Sequence, residues 1–87
     1  MTREEFIEAR KAMGMTQTDV AEQMGMSLRQ IQNIETGAGD MRRVHSLAME
    51  RITLAFAAAS GEWQVAAPAA RRDAMDVVAL FRGKETA

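Results

Sequence analysis

Residues 15–37 read MTQTDVAEQMGMSLRQIQNIETG, and they give the clearest indication of the fold. Its pattern is typical of two short helices joined by a tight turn. Thr16 and Ser27 each precede one helix, where a hydroxyl oxygen accepts a hydrogen bond from a free N–H group of the first turn. Gly25 supplies the positive φ of a sharp turn, and Gly37 ends the second helix. The spacing therefore predicts a helix-turn-helix.

The second helix of this pair has two different sides. Ile31 and Ile34 form an apolar side that anchors it onto the first helix, and the small Ala21 lets the two helices cross closely. The other side carries long amides and one arginine, Arg29. For each single residue the alternative is an ordinary solvated surface, but the protruding outer side as a whole has a shape that fits the major groove of DNA.

The remaining sequence predicts three further helices. The first covers about residues 3–13 and begins with a capping box. A longer helix covers about residues 42–59 and has apolar residues on two faces, so we expect it to be sandwiched by its own domain or by a second copy of the chain. The last covers about residues 68–82, with Pro68 in its first turn and Gly83 as its end.

These assignments predict an all-α fold class with five helices. Short β-branched runs leave little from which to build strands. Residues 61–67 look extended, and residues 83–87 are expected to be a loose tail. We expect residues 1–60 to form a helix-turn-helix DNA-binding domain. Residues 61–87 are then a C-terminal extension that contains a dimerisation helix and belongs to the same compact unit.

Composition excludes several classes of function. The chain has 87 residues, a net charge of −1 and no cysteine, so it has neither a disulfide framework nor a thiolate metal site. His45 is the single histidine, and no serine has a recognisable base partner, so we expect no enzyme activity, no metal and no cofactor. No signal peptide or membrane-spanning run is visible, which predicts a cytoplasmic protein. The net charge predicts weak non-specific affinity for DNA and leaves specific binding open.

The quoted segment resembles the Cro/lambda-repressor superfamily, also called the xenobiotic-response-element helix-turn-helix family. The resemblance covers roughly residues 3–57 and rests on Arg10, on MTQTDVAEQMG and on SLRQIQNIETG, which includes Glu35. It implies a five-helix lambda-repressor-like domain that binds double-stranded DNA. In such a domain Gln17 clamps a phosphate, and Arg10 and Glu35 form a structural ion pair.

The resemblance also implies which side chains read bases. Arginine can form two hydrogen bonds to guanine, glutamine and asparagine can do so to adenine, and leucine can contact the thymine methyl group. The residues at base-reading positions are Ser27, Leu28, Arg29, Gln30, Gln32 and Asn33. Arg42 and Arg43 are expected to contact phosphates. The acidic Asp40 departs from the pattern and disfavours DNA contacts by the neighbouring loop.

Family members usually act as two-fold dimers on inverted repeats, since a single recognition helix buries too little surface to specify a site. The candidate dimer residues lie in the C-terminal extension: Trp63, Val65, Val77, Val78, Leu80 and Phe81. The alternative is that these residues complete the core of a monomer. The leading interpretation is a homodimeric autorepressor with an inverted-repeat operator, similar to regulators encoded beside anti-CRISPR genes, and with no evident small-molecule ligand. The other interpretations are an antitoxin of this fold and an adaptor that binds protein rather than DNA.

Overall fold

The computed structural model describes residues 1–86, which form five α-helices, a single 3₁₀ turn and no strand. The predicted all-α, five-helix architecture is therefore confirmed. The helices are α1 (Arg3–Ala12), α2 (Gln17–Met24), α3 (Leu28–Thr36), α4 (Arg43–Ser60) and α5 (Pro68–Thr86), and the 3₁₀ turn spans Trp63–Val65. Within the described residues, no helix is long and apolar enough to cross a membrane.

The starts of the first three helices are set by local hydrogen bonds. Thr2, Thr16 and Ser27 each accept a hydrogen bond from the backbone N–H three residues later, and each helix has the reciprocal bond of a capping box. Gly25 has φ of 66° and Gly37 has φ of 85°, and both occupy the left-handed conformation that ends a helix. The predicted helix-turn-helix is thus built by its own local sequence.

The core lies where α1, α2, α3 and α4 meet. Its largest fully buried apolar side chains come one from each helix: Phe6, Val20, Ile31 and Met49. The sequence predicts cover for both apolar faces of α4, by its own domain or by a second copy. The domain covers only one of them, since Met49 is buried while Val44 and Leu47 are 62% and 50% exposed. One apolar face of α4 therefore has no cover within the described chain.

The C-terminal part differs from the sequence prediction in two places. Residues 61–67 are not extended throughout, since Trp63–Val65 form a 3₁₀ turn and extended dihedral angles occur at Ala66 after it. Gly83 does not end the last helix, which continues to Thr86. The positive-φ glycines of the described chain do not include Gly83, so it stays helical, and the loose tail predicted for residues 83–87 is wrong as far as residue 86. Residue 87 lies outside the described part.

A buried hydroxyl attaches α5 to the rest of the domain. Thr53 in α4 is fully buried, and its Oγ1 accepts a hydrogen bond of 2.9 Å from the backbone N–H of Ala67. The same hydroxyl donates to the carbonyl oxygen of Glu50 at 2.8 Å. Because Ala67 directly precedes Pro68, this contact fixes the point at which α5 begins. The molecule measures 52 × 23 × 21 Å along its principal axes.

Candidate nucleic-acid interface

Helix α3 presents its polar side to solvent. With 3.6 residues per turn, Arg29, Gln32 and Asn33 lie opposite the two buried isoleucines of this helix. Arg29 and Gln32 are exposed, and Asn33 is half-buried. Leu28 lies at the first turn and is 41% exposed. The protruding surface thus combines a guanidinium group, two carboxamides and one aliphatic side chain.

Two of the predicted base-reading residues also hold the start of α3. Ser27 Oγ accepts a hydrogen bond from the backbone N–H of Gln30 at 3.1 Å, and Gln30 Oε1 accepts one from the backbone N–H of Ser27 at 2.8 Å. A two-bond contact with adenine uses both the oxygen and the nitrogen of a carboxamide. Since the oxygen of Gln30 is engaged in the cap, Gln32 is better placed for such a contact.

A surface depression of about 370 Å³ joins α3 to the start of α4. Gln30 and Asn33 line it from α3, and Arg42 and His45 line it from the other side. Asp40 also lines it, so its carboxylate opposes an anion there. The structure therefore brings Arg42 together with two of the predicted base-reading residues.

The two candidate phosphate-binding arginines occupy a helix N-terminus. Arg42 is the N-cap of α4 and Arg43 its first residue, and both side chains are exposed. His45 Nδ1 accepts a hydrogen bond of 3.0 Å from the backbone N–H of Arg42 and so stabilises this end of α4. Free N–H groups and the helix dipole favour an anion at such a position.

Arg10 and Glu35 form a largely buried ion pair between α1 and α3. Arg10 Nε donates to Glu35 Oε2 at 2.7 Å and Nη2 donates to Oε1 at 2.9 Å, with side-chain exposures of 14% and 7%. The Glu35 hydrogen bonds raise the pKa of the Arg10 guanidinium. Burial by itself raises the pKa of the Glu35 carboxyl, but the hydrogen bonds and charge of Arg10, with a further bond from Gln17, outweigh it and lower that pKa below its usual value.

Gln17 connects this ion pair to the surface. Its Nε2 donates to Glu35 Oε1 at 3.1 Å, and an amide nitrogen has a second N–H group with which to bind another acceptor. Gln17 is the first residue of α2, where backbone N–H groups favour a phosphate. The Asp19 carboxylate lies at the same helix end, bonded to the N–H of Thr16, and its charge weakens that preference.

The predicted dimer residues fall into two groups. Five are exposed, with exposed fractions from 46% to 75%: Trp63, Val77, Val78, Leu80 and Phe81. Val65 differs, because it is half-buried and packs against the core of the helix-turn-helix. The structure thus places five of the six on an uncovered apolar surface and the sixth largely inside the monomer.

Sequence reasoning missed the role of two residues near the interface. His45 is the third residue of α4, and its Nδ1 accepts a hydrogen bond from the N–H of the N-cap Arg42; glutamate or glutamine usually fills this position, and a lone histidine does not signal it. Thr36 lies one turn after Gln32 on the outer side of α3, where its Oγ1 accepts from the N–H of Ala38 at 3.4 Å. Thr36 therefore adds a hydroxyl to the outer side of α3, and its spacing of four residues from Gln32 is the sequence signal for that position.

A helix-turn-helix family model matches residues 6–42, a segment that runs from α1 to the N-cap of α4. Neither the curated proteins nor the solved structures include a significant match to the chain. The matched segment contains the Arg10–Glu35 pair, Gln17 and the entire outer side of α3. The family consists of DNA-binding regulators rather than enzymes. Residues 6–42 therefore form a DNA-binding helix-turn-helix of the Cro/lambda-repressor superfamily.

Proposed function

We propose that this protein is a homodimeric transcriptional repressor that binds an inverted-repeat operator through the major groove. The observation that carries the proposal is the outer side of α3, where Arg29, Gln32 and Asn33 face away from the core. These side chains have the chemistry to read guanine and adenine edges. Arg42 and Arg43 at the start of α4, with Gln17 at the start of α2, are our candidates for phosphate contacts.

Dimerisation is supported by the apolar surface of the C-terminal extension. Leu80 is 75% exposed, Phe81 61% and Val77 64%, and they lie within five residues of one another on α5. A contiguous apolar surface that is exposed in the monomer is more often an interaction site than a surface that stays in contact with water. A second copy of the chain that covers it gives a two-fold molecule with two recognition helices, which is the symmetry of an inverted repeat.

Repression of its own gene is the simplest regulation for such a protein, since its concentration alone then sets occupancy of the operator. In this respect we place it with compact autorepressors, including those encoded beside anti-CRISPR genes. We expect it to act in the cytoplasm, where its DNA target lies.

Selection of bound sequences from a random duplex pool, combined with sedimentation of the purified protein, tests the proposal. We expect enrichment of an inverted repeat whose half-sites lie about one helical turn apart, and a dimeric mass. DNA affinity should fall steeply with salt, because bound phosphates release counterions. A pool without enrichment at low salt contradicts DNA readout, and an enriched single half-site with a monomeric mass contradicts the dimer.

The exposed apolar surface of α5 also supports a second candidate, an antitoxin that represses its operon and uses this surface to cover a toxin. That protein is monomeric in sedimentation when purified alone and still enriches a DNA sequence. An adaptor that binds only protein enriches no sequence at all. The two measurements therefore separate the three functions.

A further inference from the structure

An apolar groove of about 510 Å³ lies between α4, the 3₁₀ turn and α5, on the side of the domain formed by the C-terminal extension. Its floor consists of small side chains, among them Ala57 and Ala66, which are 7% and 4% exposed. Trp63, Met75 and Val78 line its walls. The volume falls within the range of pockets that hold small molecules.

Among the side chains that the structure describes, two arginines, Arg71 and Arg82, are the charged ones that line this groove. They lie about three turns, or roughly 16 Å, apart along the same side of α5. The Arg71 guanidinium lies over the Trp63 ring at 5.3 Å from its centroid, so one wall combines an aromatic face with a positive charge. An apolar body with an anionic head complements such a groove.

The arrangement of charges on α5 argues against a second copy of the chain as the occupant. Asp73 and Asp76 lie on the other side of α5 from Arg71 and Arg82, since successive residues of a helix are 100° apart. A copy that places its aspartates on these arginines turns its own groove away from the first copy. That contact is head-to-tail and does not close into a two-fold dimer.

We propose that the groove binds an aliphatic carboxylate of the fatty-acid class. The alkyl chain of the ligand lies on the alanine floor between Trp63 and Val78, and its carboxylate pairs with Arg71 at the rim. Burial of the methylene groups supplies most of the affinity, and the guanidinium selects the anion. This proposal goes beyond the proposed function and does not depend on DNA binding. It removes Trp63 and Val78 from the candidate dimer surface and leaves the other three exposed candidates, all on α5, to contact the second copy.

Calorimetric titration of the full chain with sodium dodecanoate, below its micellar concentration, tests the proposal. We expect saturable binding and a parallel change in the fluorescence of Trp63, the single tryptophan. Dodecyltrimethylammonium has the same chain and the opposite charge, and we expect it to bind at least about tenfold more weakly. Arg71→Gln should weaken dodecanoate binding by about tenfold, the effect of losing a hydrogen bond to a charged group.

A matched pair of variants locates the site. Ala58 lines the groove and Ala59 does not, although both are exposed and adjacent in α4. Ala58→Phe should abolish binding and Ala59→Phe should leave it unchanged. The proposal is wrong if dodecanoate does not saturate, if the cation binds equally well, or if both variants bind normally. It is also wrong if Ala58→Phe, but not Ala59→Phe, weakens self-association in sedimentation, since a second copy then fills the groove.

Discussion

Gln17 donates a hydrogen bond from Nε2 to Glu35 Oε1 at 3.1 Å, which links the first residue of α2 to the last turn of α3. The same oxygen accepts a bond of 2.9 Å from Arg10 Nη2. Arg10 also donates from Nη1 to the carbonyl oxygen of Met15 at 3.1 Å, in the connection between α1 and α2. The Glu35 carboxylate thus joins three helices. It also orients Gln17, the side chain that we expect to contact a phosphate.

Removal of Glu35 should destabilise the fold more than removal of Gln17. Glu35→Ala leaves the Arg10 guanidinium largely buried without its counter-charge, and we expect the free energy of unfolding to fall by about 3 kcal/mol. Gln17→Ala leaves the ion pair intact and should cost about 1 kcal/mol or less. Urea unfolding measures both. The Arg10→Ala/Glu35→Ala double variant should lose less than the sum of its single variants, and an additive result would contradict the coupling.

Stability should decline in acid because the pKa of Glu35 is lower in the folded protein than its usual value of 4.5. The contribution of this carboxyl is complete above pH 4.5 and is lost as the pH falls through the folded pKa, since the unfolded state binds the proton more readily. Urea unfolding between about pH 7 and about pH 3 measures the loss. Glu5 and Asp19 also have lowered pKa values and contribute to the slope. Glu35→Gln should therefore flatten the decline only in part, and an unchanged slope would show that Glu35 does not drive it.

Arg29→Ala should change sequence preference without changing the fold. Arg29 is exposed on the outer side of α3, and the loss of its contact with one base pair should cost about 1–3 kcal/mol of discrimination at that position. Arg72→Ala removes the same charge from an exposed position on α5 and serves as the control. Binding to a panel of operator variants measures the difference. Equal effects of the two variants at every position would exclude Arg29 from base readout.

Thr53→Val should loosen the attachment of α5. Valine fits the same space but leaves the N–H of Ala67 without its acceptor, and we expect a loss of about 1–3 kcal/mol in the free energy of unfolding. Hydrogen exchange of the Ala67 amide gives the local measurement and should become faster. Thr53→Ser keeps the hydroxyl, so its Ala67 amide should remain protected. Equal exchange in the two variants would contradict the role of this hydrogen bond.

Phe81→Lys should dissociate the proposed dimer while the monomer stays folded. Phe81 is 61% exposed, so its removal costs the monomer little, but a charge at a covered apolar surface opposes association. Ala79→Lys introduces a lysine at an exposed position on the opposite side of α5 from Phe81 and should remain dimeric. Sedimentation and circular dichroism together measure mass and helicity. A dimeric Phe81→Lys protein would place the interface elsewhere.

Local sequence is enough to specify the helix-turn-helix, because its signals act over three or four residues. The hydroxyls of Thr2, Thr16 and Ser27 accept hydrogen bonds from N–H groups one turn away. Gly25 and Gly37 adopt the positive φ of their turns without the steric cost that other residues have. Such interactions depend little on what packs against them. The same reasoning failed at Gly83, where a glycine that looked like a helix end remained helical.

The roles of the buried and exposed side chains depend on contacts between residues that are far apart in the sequence. Gln17 and Glu35 are 18 residues apart, and Thr53 and Ala67 are 14 apart, so no local pattern announces their hydrogen bonds. The apolar residues of the C-terminal extension look alike in the sequence, yet Val65 packs against the core while Leu80 lies in solvent. The 3₁₀ turn lies against α4 and brings Val65 to the core, whereas Leu80 lies near the far end of α5. Burial depends on which surfaces meet, and this information exists only once the chain has folded.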